Sequence, residues 1–428
     1  MLWIIMTFLL INAGIFIFSY LRTKDINLKT SDGYFLGGRS LTALYIGSSL
    51  LLTNLSTEQM VGLNGQSYSG TMSAMAWEVT APLALIMLAF VFLPRYLSSG
   101  VTTIPDFLEK RYDQRTRQIV SILLLLGYAT SFLPTVLYSG ALVLDQVFNI
   151  SSALGISTFA TVFFISLVIG AASCCYIFFG GLKAAASADA IYGAGLILGG
   201  LFIFVLGIMA IGDGSLLNGY TELTSVHKEK LNAITADNAA EVPWPTIFTG
   251  LLVNNLFYWA VNQSIVQRAL GAKNLAEGQK GALLAGVFKT IGVFYLVLPG
   301  VIAYHLYGGH IENADTVYPK LIVDLLPTAL IGVFAVKWAI FAHIVLYTIS
   351  KIYFGHIHFL YILAVLFPFS VLLMLFIGKL KPRPSEFKLE KNAKVDLRPW
   401  KHAKLASILV ICLMACIYLL FSPWGLAK

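Results

Sequence analysis

The chain has 428 residues, 58% of them hydrophobic and 12% charged, against roughly 25% charged in a soluble globular protein. This balance excludes a cytosolic enzyme, a disordered chain and a disulfide scaffold, and leaves an all-α polytopic membrane protein. The net charge of +8 comes from lysines and arginines between apolar segments, where they set membrane orientation, so no nucleic-acid partner is expected.

In chain order, apolar stretches long enough to span a bilayer cover about 2–20, 40–62, 73–96, 118–147, 157–180, 187–212, 244–264, 280–306, 325–349, 356–378 and 404–422. The first has no charge before it, and Arg22, Lys24 and Lys29 follow it. A secretory signal has the reverse order, so the segment reads as an uncleaved anchor with its N-terminus outside. Arg39, Arg95, Lys110, Arg111, Lys183, Arg268, Lys273 and Lys280 then fall on the cytoplasmic side under strict alternation. The acidic 213–243 stretch falls outside.

Strict alternation fails late in the chain. It places 379–404 outside, although this stretch carries Lys379, Lys381, Arg383, Lys388, Lys391, Lys394, Arg398, Lys401 and Lys404. Near the failure, Lys337 stands at the centre of 325–349, where a lysine costs about 2.5–3.5 kcal/mol on insertion scales. Two irregularities at one place point to a lesion or a join there.

The second segment is not a plain helix. Ser48, Ser49, Thr53, Asn54, Ser56, Thr57, Glu58 and Gln59 fall at bilayer depth, where polar groups must face protein or water. A discontinuous helix whose carbonyls meet a cation accounts for this density. Further along, Glu78, Asn255, Tyr258, Trp259 and Lys289 bring charge, amide and aromatic faces into apolar segments, and intramembrane ionisable groups mark a substrate or ion path. Glu78 accepts from hydroxyls and Lys289 donates to them, while Asn54, Gln59 and Asn255 do both. Tyr258 and Trp259 can stack on the apolar face of a sugar ring, or serve as interfacial belt residues. The set suits a neutral polyhydroxylated solute. Asp189 is either a solvated helix cap or a group on a cation exit path.

Other features carry less. Gly195 and Gly199 form a small-residue pair for close helix packing. Cys174, Cys175, Cys412 and Cys416 lack the spacing of a zinc site. No metalloprotease helix, P-loop or nucleophile elbow occurs, so no enzyme activity is expected.

Several motifs keep their order and spacing: Tyr34-Phe35-Leu36 through Arg39-Ser40, Asn54 to Gln59, Thr103-Ile104-Pro105-Asp106-Phe107, Gly180-Gly181-Leu182, and Gln267-Arg268 with Ala272-Lys273. On these the chain resembles the sodium/solute symporter family, in its sodium/sugar cotransporter branch. The resemblance runs over about 1–336 and resumes in the tail. It implies a five-plus-five inverted-repeat fold with an extra N-terminal helix. The implied units are an anchor helix over 1–30, a first repeat over 40–212, a truncated second repeat over 244–350, and added helices with a basic loop over 351–428. It also implies sugar contacts at Asn54, Gln59, Glu78, Asn255 and Lys289, and an inner gate at Tyr258 with Trp259 beside it. Sodium, the coupling ion, would be held by the backbone carbonyls of Leu52 and Leu55, with Asp189 on its way out. No other cofactor is implied. The setting would be a bilayer, the bacterial inner membrane. The departures are Trp77 for a tyrosine, Ala81 for a serine, and text after Val336 that lacks a Ser-Ser pair completing the sodium site. The chain is about 130–150 residues shorter than the family implies, beyond ordinary loop variation. Loss of an odd number of crossings would explain the charge anomaly. Symport that is coupling-defective, or a non-transporting membrane remnant, are the two expectations.

Overall fold

The computed structural model describes residues 14–55, 57–148, 150–235, 241–326 and 394–428, and among these the only regular structure is helical. Lys337, the Val336–Lys337 junction and the basic residues before 394 lie outside the described residues. So does the greater part of the first apolar segment, of which 14–21 is helical. Among the described residues, Met72–Ser99 (α3), Gly180–Ile211, Leu275–Tyr307 and Ala403–Leu420 (α14) are long and apolar enough to cross a membrane.

The second segment is broken as its polar content predicts. Helix α1, Ala43–Asn54, ends where Leu55 turns extended (φ −72°, ψ 101°), and α2, Thr57–Ser69, resumes beyond it. A second break interrupts the 244–264 segment. Helix α9, Gly250–Ala260, stops at Val261, and α10, Gln263–Leu270, restarts behind an Asn262 cap.

Between the breaks, α3 leads through the short α4 (Ile104–Arg111) to α5 (Gln114–Gly127) and α6 (Leu133–Phe148). The helical stretch Thr158–Ile211 (α7) is really two helices, parted at Gly181 (φ 58°, ψ −162°). There a Cβ would meet the Tyr34 carbonyl at 2.8 Å, so the turn needs glycine. Helix α8, Leu216–Ser225, opens the 213–243 loop.

Helix α11 (Leu275–Gly292) runs through a π turn into α12 (Leu298–Tyr307), and α13 covers Val317–Leu325. The π turns Leu88–Phe92, Tyr128–Phe132 and Val293–Val297 are each followed directly by Leu-Pro, at Pro94, Pro134 and Pro299. Proline lacks the N–H and crowds the carbonyl one turn back; a widened turn relieves both.

The core lies where α1 crosses α11. A Cβ on Gly281 would stand 2.6 Å from Ile46, and one on Gly47 3.0 Å from Leu284. Around this crossing Ile46, Leu50, Leu85, Leu88 and Ala282 are fully buried. Phe159, Phe163, Phe164, Leu123 and Leu125 are exposed, as lipid-facing positions would be.

The ends of α14 correct the alternation. Lys394 pairs with Asp32 at 2.8 Å, the Leu275 N–H donates to the Asp396 carbonyl at 3.0 Å, and the Trp400 N–H donates to Gln279 Oε1 at 2.7 Å. Residues 394–400 therefore sit on the face that holds the basic loops around 32 and 275. At the far end, the Ala233 N–H donates to the Phe421 carbonyl at 2.7 Å, on the face of the 213–243 loop. Residues 394–400 and the loops carrying Lys24, Arg39 and Lys273 thus share one face, as the positive-inside rule asks of basic segments, and not opposite faces as counting spans predicts.

Candidate functional site

The centre of the site is an ion pair. Glu78 stands on α3 and Lys289 on α11, each 1% exposed. The Lys289 ammonium donates to Glu78 Oε1 at 2.6 Å and Oε2 at 2.5 Å. Its third side faces the Trp259 ring, 5.4 Å from the centroid. A buried charge removed from its partner is left uncompensated, so the two residues stay neutralised as a pair with no net charge.

Further residues gather around the pair. Trp259 is 1% exposed, and the Tyr258 ring lies edge-on to it at 5.3 Å. The burial of Trp259 removes it from an interfacial belt, and its face is already engaged by Lys289. Asn255, also buried, donates from Nδ2 to Thr80 Oγ1 at 2.9 Å, two residues along α3 from Glu78. Glu78, Lys289, Trp259, Tyr258 and Asn255 are thus brought together.

Asn54 and Gln59 are placed differently. They flank the α1–α2 break, and among the described residues no donor reaches Asn54 Oδ1 or Gln59 Oε1, both atoms being buried. No direct bond joins them to the ion pair. Leu52 lies in the last turn of α1 and Leu55 just past it, where helix carbonyls lose their intrahelical donors.

Asp189 is not a helix cap. It lies inside α7, and Ser49 on α1 donates to its Oδ2 at 2.6 Å. One turn on, Thr53 Oγ1 accepts from Arg268 Nε at 3.0 Å. The charged and titratable groups facing Arg268 are Asp189 and Tyr258. Hence α1 is clamped by an acid from α7 and a base from α10, directly below the break. Of the residues that join this cluster, Thr80 goes unnamed in the sequence reading, while Ser49, Thr53 and Arg268 appear there only as polar, basic or motif residues without their partners. The hydroxyls one helical turn apart at 49 and 53 were the available signal.

The end of the bundle below this clamp, around Arg39, is closed. Ala43 N–H donates to Glu277 Oε2 at 2.8 Å, Ile104 N–H to Gln263 Oε1 at 2.7 Å, and Gln267 Nε2 to the Phe35 carbonyl at 2.7 Å. The Leu41 N–H donates to the Gly271 carbonyl and the Lys273 N–H to the Leu41 carbonyl, both at 3.0 Å. Arg39 adds a buried guanidinium between the Leu270 and Val101 carbonyls. Burial pushes its pKa below the ordinary arginine value, against the opposing pull of Asp32.

Comparison with known proteins gives this geometry a context. The model of the sodium:solute symporter family matches residues 34–354. An uncharacterized symporter of Escherichia coli (strain K12), YidK, is 38% identical over 511 residues, covering 96% of this chain and 89% of that protein. A sodium/glucose cotransporter of Vibrio parahaemolyticus is 32% identical over 336 residues, covering 73% of this chain and 59% of that one. A human sodium/myo-inositol cotransporter is 31% identical over 344 residues, covering 72% and 46%. The chain therefore spans only about half the length of these two characterised relatives. A solved Na+-coupled sialic acid symporter in a substrate-bound outward-open state superposes with a TM-score of 0.63 at 18% identity, covering 98% of this chain and 81% of that one. At that identity the likeness is one of fold. An all-helical membrane fold with two broken helices, a matching family model over most of the length, and relatives that are transporters lead to one conclusion: the chain belongs to the sodium:solute symporter family.

Proposed function

We propose that this protein is built to carry a neutral, sugar-like solute together with sodium by alternating access across a bacterial inner membrane. The observation that carries this reading is the sealed Glu78–Lys289 pair beside a helix break with unfilled acceptors on Asn54 and Gln59. The pair offers donors and acceptors without net charge, which favours polyhydroxylated over ionic solutes. Asn54, Gln59, Glu78, Asn255 and Lys289 would hold the solute. Tyr258, beside Trp259 and above Arg268, would close the site from the inside. Sodium would sit on the Leu52 and Leu55 carbonyls and leave past Asp189. The units would be the anchor over 1–30, the repeats over 40–212 and 244–350, and the added helices over 351–428.

Coupling is a separate matter. A hard cation wants about six oxygen ligands, and two carbonyls on one helix are too few. The serines expected to complete the set belong to text after residue 336. The alignment with the Escherichia coli relative runs over 511 positions, against 428 residues in the chain, so at least 83 positions have no counterpart here. This gap supports a second reading, in which the chain has lost part of its second repeat and is coupling-defective or does not transport. The test is sodium-dependent uptake of radiolabelled sugars into vesicles holding the purified chain, with Glu78→Ala as control. Uptake that needs sodium and is lost in the control establishes symport and removes the defect. No uptake by folded, inserted protein establishes the second reading.

A further inference from the structure

One ammonium, that of Lys230, caps the outer end of α2. Lys230 belongs to the short turn Lys228–Leu231 of the 213–243 loop, and it is 9% exposed. Its ammonium donates to the Tyr68 carbonyl at 2.8 Å and the Ser69 carbonyl at 3.2 Å. These are the last carbonyls of α2, which lack intrahelical donors and carry the negative end of the helix dipole. On its other side the ammonium lies 4.0 Å from the centroid of the Tyr304 ring on α12, a cation–π distance. Tyr304 also meets the Tyr68 ring at 5.7 Å and the His227 ring at 5.2 Å.

The remaining fastenings of this end run the same way. Ser67 Oγ donates to the Val297 carbonyl at 2.6 Å, and the Ile311 N–H donates to the Tyr68 hydroxyl at 2.9 Å. Both tie α2 to the α11–α13 side. Opening the protein outward draws the end of α2 away from α12. The ammonium cannot follow both, and either choice leaves a buried charge short of partners, which is costly. Neutral fastenings carry no such penalty.

We propose that Lys230 is the outer latch of the transport cycle, a positioning residue that caps the moving half-helix α2 against α12 and holds the outer entrance shut. The inference rests on the alternating-access reading for what the latch does. Burial lowers the pKa of Lys230 from its ordinary value, with Glu229 partly opposing, in keeping with an ammonium that needs its partners.

The test is backbone hydrogen exchange of the full chain in lipid nanodiscs, which requires neither solute nor coupling. Lys230→Met is expected to speed exchange at residues 66–70 and at Ile311 by roughly tenfold, the scale of a charge-assisted hydrogen bond. It is expected to slow exchange at Leu41 and Lys273, whose amides report the closed inner end, because the two ends open in alternation. Lys230→Arg should stay close to the unmodified protein. If Lys230→Met does not fold, Tyr304→Leu keeps the cap, removes the ring, and should shift both ends in the same sense by less. The latch is overturned by unchanged exchange at 66–70. It is equally overturned by faster exchange at both ends, by an outer gain with no inner slowing, or by Lys230→Arg behaving as Lys230→Met. Failure of symport in the uptake assay would leave this exchange pattern intact, so the two readings fail separately.

Discussion

The two helix breaks use the same residue for different ends. At the second break, Asn262 is buried and its Oδ1 accepts from the Ser264 N–H at 3.0 Å, Ser264 Oγ at 2.8 Å and the Tyr128 hydroxyl at 2.7 Å. That asparagine is saturated and serves as a cap. At the first break, Asn54 Oδ1 is buried with no donor among the described residues, and Gln59 Oε1 shares that condition. An unmet buried acceptor costs about 1–3 kcal/mol, and water, an ion or a ligand can supply the missing donor. One break is closed by its own side chains, and the other leaves two buried acceptors without a donor among the described residues.

The largest expected effect lies between the breaks. Glu78→Gln leaves Lys289 buried and unpaired, and Lys289→Met does the same to Glu78. Each should lower stability by about 3–5 kcal/mol, read by thermal unfolding in detergent. The double change Glu78→Gln with Lys289→Met should recover much of that loss while abolishing solute binding. A double mutant as unstable as the sum of the singles would show that the pair is not the coupled unit described here.

Next comes the saturated asparagine. Asn262→Ala removes a cap and the anchor of Tyr128, for a loss of about 1–2 kcal/mol. Binding of a sugar, followed by tryptophan fluorescence, should survive it. Asn54→Ala should do the opposite, keeping stability or raising it by up to about 1–3 kcal/mol as an unmet buried acceptor is removed, with binding weaker by roughly tenfold. If Asn54→Ala destabilises as much as Asn262→Ala, the contrast between the breaks is lost.

The smallest effect calibrates the caps. Asp113, fully exposed, accepts from the Thr116 N–H at 2.7 Å at the start of α5. That N–H holds its carboxyl below the ordinary aspartate value. Its stabilising share is therefore complete above the ordinary value and disappears as pH falls through the lowered one. Asp113→Ala should remove this pH dependence and change little else. The Asn262 cap, an amide, should show no such dependence in the same melts.

The hydrophobic pattern made the membrane class, the broken second segment and the intramembrane polar residues legible, because each has a one-dimensional signature. Glu78 and Lys289 stood out as charges in apolar text. Their pairing was not legible, since 211 residues separate them and nothing local relates α3 to α11. Arg268 was visible as a basic loop residue and as part of a motif, and its grip on Thr53 arises from how α10 lies against α1. Counting spans put the basic tail outside. The Lys394–Asp32 and Leu275–Asp396 contacts put its described end, from Lys394 on, on the same face as the early basic loops, because a charge pattern records a preference for a face and not the path by which the chain reaches it.

What the sequence determined by itself was therefore composition-driven: a helical membrane protein, its broken helix, and the polar residues that a bilayer would not tolerate without purpose. What the tertiary structure alone decided was which of those residues meet. Apolar burial is non-directional and sets which segments are helices. Hydrogen bonds and ion pairs act over about 3 Å, so only packing could choose Glu78 for Lys289, saturate Asn262, and leave Asn54 open.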